Sequence, residues 1–348
     1  MAVEIVSFVN EGLGHSSYLV DLGDGTALVI DPARIPTAQV AHAAERGLRI
    51  AYTADTHTHA DYISGSPDLA MRGAVFLAPA AAGLDREYRG LTDGDLVDVG
   101  RYRLEAVATP GHTPDHLAYL LSDDAGPVAL FSGGSLMVGT VGRTDLLGDE
   151  HREALAHDLY RALRDRILTL PDDLAVYPTH GAGSFCSAPG GGDRASTIGR
   201  ERATNPLLSM DEDDFVERLL AGLGSFPDYF RLLPSVNQHG LPLHDDVPAL
   251  APLGLDAVDR LLADGAVVVD ARKVVDFAAG HAPDAVNIEL GALPEATVPD
   301  GPVATMCGKT ERAMTAASVL ERRGHRDVGA LRGGYNAWTA HHQATTAR

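Results

Sequence analysis

Cysteine and tryptophan are scarce in this sequence, which has two cysteines and one tryptophan in 348 residues. The cysteines, Cys186 and Cys307, are too few for a disulfide framework, so any role that they have is that of a thiol. Long apolar runs are missing too, since none approaches the roughly 18 residues that a membrane-spanning helix needs. The first residues carry Glu4 where a signal peptide has Lys or Arg. We therefore expect a cytoplasmic protein with no membrane partner.

Basic residues are outnumbered by acidic ones, because 28 Lys and Arg stand against 48 Asp and Glu, which gives a formal net charge of −20. A field of this sign repels phosphate backbones, so the composition argues against nucleic acid as a partner. Apolar residues make up 45% of the chain and charged residues 22%, which is ordinary for a globular protein. At roughly 150 residues per domain, the length predicts two domains.

The first 180 residues alternate short β-rich runs with helical stretches, a pattern typical of a layered α/β domain. Strands are predicted at 4–9, 17–22, 27–31, 48–54, 74–78, 102–108, 127–132 and 174–177, and helices at 37–45 and 150–170. A Gly- and Ser-rich loop is predicted at 181–193. A further helix is predicted after Ser209, which forms a capping-box pattern with Glu212, and Gly222 and Gly224 are expected to end this helix.

A second α/β pattern begins after an irregular stretch at 225–252 that is rich in Pro, Asn, His and Gly. It predicts a helix at 255–264, strands at 266–270, near 288 and at 303–306, and a helix at 312–323. We therefore divide the chain into a first domain of residues 1–240, a linker of residues 241–253 and a small doubly wound α/β domain of residues 254–348.

Four histidines of the first domain follow closely on predicted strands. His57 and His59 come after the strand at 48–54, with Asp61 two residues further on, while His112 and His180 follow the strands at 102–108 and 174–177. In layered α/β domains, loops at one edge of the sheet build the functional sites. Because imidazole and carboxylate groups suit zinc and iron, the pattern predicts one divalent metal, Fe(II) or Zn(II), that activates water or dioxygen.

Four motifs in order resemble the metallo-β-lactamase superfamily, in its glyoxalase II and persulfide dioxygenase branch. They are His57-x-His59-x-Asp61, Gly111-His112-Thr113-Pro114, Gly142-Arg143-Thr144-Asp145 and Thr179-His180-Gly181-Ala182-Gly183. The resemblance covers residues 1–240 and implies an αβ/βα sandwich with a metal in the cleft at the strand ends, in a protein that forms homo-oligomers. It also implies that a single Fe(II) is held by His57, by His112 and by an Asp in a Gly-Asp-Thr-like turn.

Two positions depart from the family pattern. Tyr62 stands where the family has a histidine, and Gly134 stands where the acidic ligand is expected. Glycine has no side chain that coordinates a metal, so the family's set of two histidines and one carboxylate cannot form in the usual way. The set that survives intact in the sequence is His57, His59 and His112, three imidazoles with an open fourth position.

Other residues near the predicted cleft remain candidates for the same site. Asp61 and His180 are further candidate ligands, and either Asp61 or Asp145 could supply the missing carboxylate. Arg143 and Asp145 either bind an anionic thiol substrate or form an internal salt bridge, and the sequence leaves both readings open.

Cys307 lies between an apolar strand and a helix, in the sequence Cys307-Gly308-Lys309-Thr310-Glu311-Arg312. A tight loop of this kind turns its backbone N–H groups inward and, with the helix N-terminus, Lys309 and Arg312, forms an anion nest around the sulfur. That setting lowers the pKa of a thiol and stabilises a persulfide. A phosphatase loop would need Arg at position 313, where this chain has Ala313.

The loop resembles the rhodanese active site, and the segments 269–272, 280–288 and 331–338 agree with it. The resemblance covers about residues 254–342 and implies sulfane sulfur transfer from thiosulfate or a low-molecular-weight thiol persulfide. It implies catalytic roles for Cys307, Lys309 and Arg312, and substrate-binding roles for Gly308, Thr310 and Glu311.

Together, the two resemblances imply a persulfide dioxygenase-like domain fused to a rhodanese sulfurtransferase domain. Two alternatives stay open. One is a mononuclear zinc hydrolase that acts on a thioester such as an acyl-glutathione. The other is a sulfurtransferase whose first domain is a metal-free binding module.

Overall fold

The computed structural model describes residues 3–10, 13–34, 36–181, 184–186, 193–224, 226–240, 252–325 and 327–346. The chain divides into two compact units, residues 1–240 and 241–348. Most of the loop predicted at 181–193 and most of the linker predicted at 241–253 lie outside the described residues. No helix in the described part of the chain is both long and apolar enough to cross a bilayer.

Two six-stranded sheets form the first unit. The first sheet contains β1 (Glu4–Asn10), β2 (His15–Asp21), β3 (Thr26–Ile30), β4 (Arg49–Ala54), β5 (Val75–Pro79) and β6 (Arg89–Leu91), in that order. The second contains β7 (Leu96–Val99), β8 (Tyr102–Ala108), β9 (Leu117–Asp123), β10 (Gly126–Gly133), β13 (Ala175–Pro178) and β14 (Ser196–Thr197). Its order is β14-β13-β10-β9-β8-β7, and a short hairpin of β11 (Leu136–Met137) and β12 (Thr140–Val141) follows β10.

The main core fills the space between these two sheets. Tyr18 and Leu28 of the first sheet pack there with Tyr119 and Phe131 of the second, and all four side chains are buried. Full burial of an aliphatic or phenyl side chain contributes roughly 1.5–3 kcal/mol, so this layer supplies much of the driving force for folding.

Helices cover the outer faces of both sheets. Because side chains alternate along a strand, Leu19 points away from the core that Tyr18 enters, and it packs with Ala43 and Leu69 of the first helices. On the second sheet, Leu120 packs with Leu159 and other apolar helical residues. The helices are α1 (Thr37–Glu45), α2 (Ser66–Met71), α3 (Arg152–Ala162), α4 (Ile198–Thr204), α5 (Glu212–Gly222) and α6 (Leu233–His239). This is the expected αβ/βα sandwich.

The second unit is a four-stranded parallel sheet with helices on both faces. Its strands are β15 (Val267–Asp270), β16 (Val286–Asn287), β17 (Val303–Met306) and β18 (Val328–Ala330), in the order β16-β15-β17-β18. Its helices are α7 (Leu255–Ala263), α8 (Val274–Ala278), α9 (Glu311–Arg322) and α10 (Gly334–Thr346). Ala304 packs with Val258 of α7, whereas the hydroxyl of the next residue, Thr305, donates to the carbonyl of Ala313 in α9. The doubly wound α/β prediction is therefore confirmed.

Two local predictions were wrong. The cap of α5 is Asp211 and not Ser209, because Ser209 ends a 3-10 turn and its hydroxyl donates to Pro206, while the Asp211 carboxylate accepts the N–H of Asp214 at 3.0 Å. The stretch predicted as irregular from 225 contains α6, in which a proline lies in the first turn and Val236 is buried.

Candidate metal centre and cysteine loop

The four strand-end histidines meet at one end of the first unit. His57 and His59 follow β4 of the first sheet, whereas His112 and His180 follow β8 and β13 of the second. The site therefore lies where the ends of the two sheets come together. All four side chains are buried, with at most 2% of their surface exposed, and so is Asp61.

Three imidazoles converge closely. One ring nitrogen from each of His57, His112 and His180 lies within 4.8 Å of the other two, and the Nε2 atoms of His57 and His180 are 3.4 Å apart. A second group, His59, Asp61 and His180, meets the same limit and shares His180 with the first. The sequence expectation was His57, His59 and His112, so the structure adds His180 to the central group and places His59 with Asp61.

Asp31 fixes the protons of two of these rings. Its buried carboxylate accepts the N–H and the hydroxyl of Thr56, both at 2.7 Å, and the hydroxyl of Thr179. Because the Thr56 hydroxyl donates to Asp31, it must accept from His57 Nδ1, 2.8 Å away, which leaves a lone pair on His57 Nε2. His59 Nε2 lies 3.2 Å from the same carboxylate, so the lone pair of the neutral ring is on Nδ1. Burial lowers the pKa of His59, but the charge and hydrogen bond of Asp31 outweigh it and raise this pKa above its usual value.

His112 is oriented in the same way by a backbone group. Its Nδ1 donates to the carbonyl of Arg143 at 2.8 Å, which leaves the lone pair on Nε2. Burial lowers the pKa of His112 to about 3 and holds the pKa of His57 well below its usual value, so both rings are neutral near pH 7. Neutral imidazole is the form that binds a metal.

The remaining polar atoms of the centre make no hydrogen bond within the described residues, although one oxygen of Asp61 lies 3.3 Å from His180 Nδ1 as an ion pair. His59 Nδ1, His112 Nε2, His180 Nδ1 and both carboxylate oxygens of Asp61 are buried and unsatisfied within the described residues. Buried polar groups are rarely left in this state unless a ligand or ion satisfies them. The donor set, imidazoles with one carboxylate, therefore fits a divalent zinc or iron ion.

Tyr62, at the position where the family has a histidine, lies behind His59 and is almost fully buried. Its hydroxyl is 2.9 Å from His59 Nε2 and 3.4 Å from the carbonyl oxygen of Asp31, and its ring stacks on the His59 ring. Tyr62 therefore holds the His59 ring in place through Nε2 and leaves the Nδ1 atom of His59 free of this contact.

Gly134, at the position of the missing acidic ligand, lies directly against His112. A Cβ atom built on Gly134 would overlap the His112 ring and lie 2.7 Å from its Cγ and 2.8 Å from its Nε2. The imidazole thus occupies the space that the first carbon of an aspartate side chain would need. The backbone N–H of Gly134 donates at 2.8 Å to Nε2 of His116, a buried histidine whose Nδ1 is 2.7 Å from the Thr109 hydroxyl.

Substitution of Gly134 by alanine is expected to displace His112 and to lower the free energy of unfolding by about 1–3 kcal/mol, as overpacking does. Metal content should fall with it, measured by elemental analysis after equal metal loading. Gly222→Ala is the matched control, since a Cβ there meets no atom within 4 Å. Gly134→Asp adds the same first carbon plus a carboxylate, so metal binding restored by aspartate alone would show that the new ligand outweighs the clash. Wild-type stability and metal content in Gly134→Ala would contradict the packing argument.

Arg143 and Asp145 form an internal salt bridge, which is one of the two roles that the sequence left open for them. The Arg143 guanidinium donates to both carboxylate oxygens of Asp145 at 2.6 and 2.8 Å and to the carbonyls of Phe185 and Gly224. This buried arginine therefore joins three segments next to the carbonyl that orients His112. Cys186 is buried nearby, and burial together with the charge of Asp61 raises the pKa of its thiol well above the usual value.

Sequence reasoning missed Asp31 and the two threonines that it holds. Asp31 follows β3 and has a φ of +49°, a backbone conformation that is rare for a residue with a side chain and that often marks a functional site. The sequence signal for Asp31 was an acidic residue at the end of a predicted strand. Because Pro32 follows it, the pair alone is also typical of an ordinary turn.

Cys307 of the second unit lies at the turn from β17 to α9, as predicted, and it is buried. Its carbonyl accepts the N–H of Tyr335 at 2.7 Å, and the Thr310 hydroxyl accepts the N–H of Gly333 at 2.9 Å. A Cβ atom at Gly334, where φ is +55°, would overlap the carbonyl oxygens of Lys309 and Cys307, so this position requires glycine.

The other predicted residues of the loop lie around this turn. Lys309 is exposed, Gly308, Thr310 and Arg312 are partly buried, and α9 begins at Glu311, whose side chain lies outside the described part of the structure.

Comparisons with known proteins agree with the division into two units. Residues 255–341 match the family model of the rhodanese-like domain. A stretch of 194 residues is 33% identical to the mitochondrial persulfide dioxygenase ETHE1 of Homo sapiens and covers 55% of this chain and 70% of that protein. A hydroxyacylglutathione hydrolase of Synechococcus sp. (strain CC9902) is 36% identical over 166 residues, which is 44% of this chain and 61% of that protein.

Two solved structures are similar in fold. A metallo-β-lactamase from Staphylococcus aureus subsp. aureus COL superposes with a TM-score of 0.72 and 28% identity, covering 96% of this chain and 100% of that one. ETHE1 from Myxococcus xanthus superposes with a TM-score of 0.59 and 28% identity, covering 68% of this chain and 98% of that one.

Proposed function

This chain belongs to the persulfide dioxygenase family of metallo-β-lactamase-fold proteins and carries a C-terminal rhodanese-like domain, and from that premise we propose that it oxidises and transfers the sulfane sulfur of thiol persulfides. The observation that carries the proposal is the convergence of His57, His112 and His180, buried rings of which the first two are turned by outer partners so that a lone pair faces the centre. Such an arrangement is built to hold an ion.

One divalent metal would be held by His57, His112 and His180, and the second group of donors, His59, Asp61 and His180, would hold an ion in its place. A ferrous ion there would supply dioxygen activation, and a zinc ion would supply water activation. Asp61 lies 3.3 Å from His180 Nδ1 and is the one acidic side chain in these ligand groups that has no hydrogen bond within the described residues. In that second group, Asp61 would supply the carboxylate that Gly134 lacks.

The overall oxidation converts a persulfide to a thiol and sulfite: RSSH + O₂ + H₂O → RSH + SO₃²⁻ + 2H⁺. Dioxygen takes up four electrons from the terminal sulfur, and water supplies the third oxygen of sulfite. The chain's own contribution is positional, because Asp31, Thr56 and the Arg143 carbonyl fix the ligand rings before any substrate arrives.

The second unit would transfer the sulfane sulfur from a donor to Cys307, and this exchange needs no added oxidant or reductant. The Cys307 thiolate attacks the terminal sulfur of a persulfide, forming a new S–S bond while the S–S bond of the donor breaks and the donor leaves as a thiolate. With thiosulfate as donor, sulfite leaves instead. The turn held by Tyr335 and Gly334 keeps Cys307 at the N-terminal side of α9, where the helix end stabilises negative charge.

The test is elemental analysis of the protein after expression with iron and zinc supplied, combined with oxygen uptake and sulfite formation from glutathione persulfide. The expected result is one iron per chain and one sulfite for each dioxygen consumed. A protein without stoichiometric metal that still moves sulfur from thiosulfate to cyanide would contradict the dioxygenase half and identify the first unit as a binding module.

The three converging imidazoles also favour a second candidate, a mononuclear zinc hydrolase for thioesters such as acyl-glutathione. Three histidines with an open position are a common catalytic zinc set, and the similarity to a hydroxyacylglutathione hydrolase points the same way. Zinc in the purified protein, thioester hydrolysis and no oxygen uptake with glutathione persulfide would establish this candidate in place of the first.

A further inference from the structure

The last helix of the first unit, α6, ends against the turn that carries two of the candidate ligands. The side-chain amide of Asn237 contacts this turn, although 178 positions separate it from His59 in the chain. Its Nδ2 donates to the carbonyl of His59 at 2.7 Å and to the carbonyl of Tyr62 at 2.9 Å. Its Oδ1 accepts the N–H of Ser64 at 3.0 Å. One side chain thus spans the backbone of residues 59–64.

The orientation of the Asn237 amide is fixed by these partners. A side-chain amide has two N–H donors on its nitrogen and an oxygen that only accepts. If the two atoms were exchanged, the oxygen would face two carbonyl oxygens and the nitrogen would face the N–H of Ser64, so all three hydrogen bonds would be lost. Both donors and the acceptor of Asn237 are therefore used on this turn.

The turn lacks backbone hydrogen bonds of its own at the two carbonyls. No backbone N–H of the described residues donates to the carbonyl of His59 or to that of Tyr62. Between these two residues, the Asp61 carboxylate is buried and makes no hydrogen bond in the described part of the chain. The position of Asp61 therefore depends on the backbone on either side of it, and Asn237 holds that backbone.

Asp61 contributes to both donor groups of the centre. In the second group, with His59 and His180, it is a candidate ligand. In the central group it is the neighbour of a ligand, because its carboxylate lies 3.3 Å from Nδ1 of His180 while Nε2 of the same ring lies 3.4 Å from Nε2 of His57. A shift of the turn at 59–62 would therefore disturb the centre whichever group holds the ion.

The helix that carries Asn237 is itself anchored in the first unit. Leu233 and Val236 of α6 are buried. The side-chain amide of Gln238 donates to the carbonyl of Ala82 at 3.1 Å, and its backbone carbonyl accepts the N–H of Asp85 at 2.8 Å. Asn237 therefore extends from a fixed support, which is what holding a ligand in place requires.

We propose that Asn237 is a positioning residue of the metal centre, which acts through Asp61 by holding the turn of residues 59–62. This inference rests on the proposed function in one respect, namely that the centre binds a divalent ion. It adds a residue that lies outside the ligand motifs, on a helix within the stretch that the sequence predicted to be irregular.

The experiment measures the zinc affinity of the metal-free, full-length protein by competition with a chromophoric chelator, so its result does not depend on persulfide oxidation. Asn237→Asp keeps the size and the acceptor of the side chain but places an oxygen against the two carbonyls. We expect it to weaken zinc binding by about tenfold to a hundredfold, which is typical of losing an outer partner of a ligand. Asn237→Ala should act in the same direction and serves if Asn237→Asp does not fold.

Gln238→Glu is the matched control, because it makes the same chemical change at the next position of α6, on an amide that donates to Ala82 and not to the ligand turn. It should leave the zinc affinity within about twofold of the wild type, as expected for a site that does not couple to the ligands. If the Asn237 variants bind zinc as the wild type does, or if Gln238→Glu weakens zinc binding as much as Asn237→Asp, the proposal is overturned.

A second arm repeats Asn237→Asp in Asp61→Ala, which retains the three converging imidazoles and with them a zinc site. Two changes that act through one side chain are not additive, so Asn237→Asp should weaken zinc binding there by no more than about twofold. A further loss of about tenfold in that background would show that Asn237 does not act through Asp61 and would overturn the proposal. Failure of the proposed oxidation would instead appear in the oxygen and sulfite measurements, with these zinc results intact.

Discussion

Replacement of Cys307 by serine is expected to reduce sulfur transfer from thiosulfate to cyanide by at least about a thousandfold, because a serine hydroxyl is not ionised near neutral pH and cannot carry a sulfane sulfur. The loop geometry should survive, since the contacts that shape it use the Cys307 carbonyl, which serine retains. Oxygen uptake with glutathione persulfide should remain at the wild-type level, because the histidine centre belongs to the other compact unit.

Cys186→Ser is the control for this prediction. It removes the other thiol of the chain, so it reports on any general effect of losing a cysteine, and sulfur transfer should persist in it. Transfer that continues in Cys307→Ser but is lost in Cys186→Ser would assign the sulfur carrier to the first unit and contradict the role of the rhodanese loop.

Substitution of His112 or His57 by alanine is expected to remove the bound metal, to less than about a tenth of the wild-type content, and to abolish oxygen uptake with it. Each side chain contributes one of three converging nitrogens, and no free donor among the other residues of the central group replaces it. Metal content is measured by elemental analysis, and sulfur transfer by Cys307 should be unchanged in the same preparations.

His151→Ala is the matched control, because this imidazole is exposed on the surface of the same unit. It should keep its metal and its oxygen uptake. Full metal occupancy in His112→Ala would show that the ion is held by His59, Asp61 and His180 instead, which is the second group that the structure brings together.

Much of the fold was accessible from the sequence because most strands are β-rich runs bounded by turn residues. β8 and β17 were predicted at their observed bounds, and the αβ/βα sandwich followed from the motifs. β9 was missed for a physical reason: its first five residues, Leu117 to Leu121, are all buried, since one face meets the core between the sheets and the other meets the helices. A strand buried on both faces shows no alternation to detect.

The candidate site was only partly accessible, because its ligands can be read from strand ends but their arrangement cannot. The sequence showed that Gly134 lacks a ligand atom; it did not show that His112 fills the space above it. Nor did it show that a ring nitrogen of His180, and not one of His59, meets nitrogens of His57 and His112 within 4.8 Å. These are consequences of how two sheets meet, and only tertiary packing decides them.

The whole histidine centre depends on one residue, Asp31. Its carboxylate reaches the turn after β4, the ring of His59 and the turn after β13, segments that are about 120 positions apart along the chain. The pocket therefore cannot be assembled one ligand at a time, and a disturbance at the end of β3 would release the ion as completely as the loss of a histidine. The buried His15 ring contacts the Asp31 carbonyl at 2.8 Å. A substitution that shifts this ring, although it is remote from the ligands, would then lower the metal content of a protein that is otherwise folded.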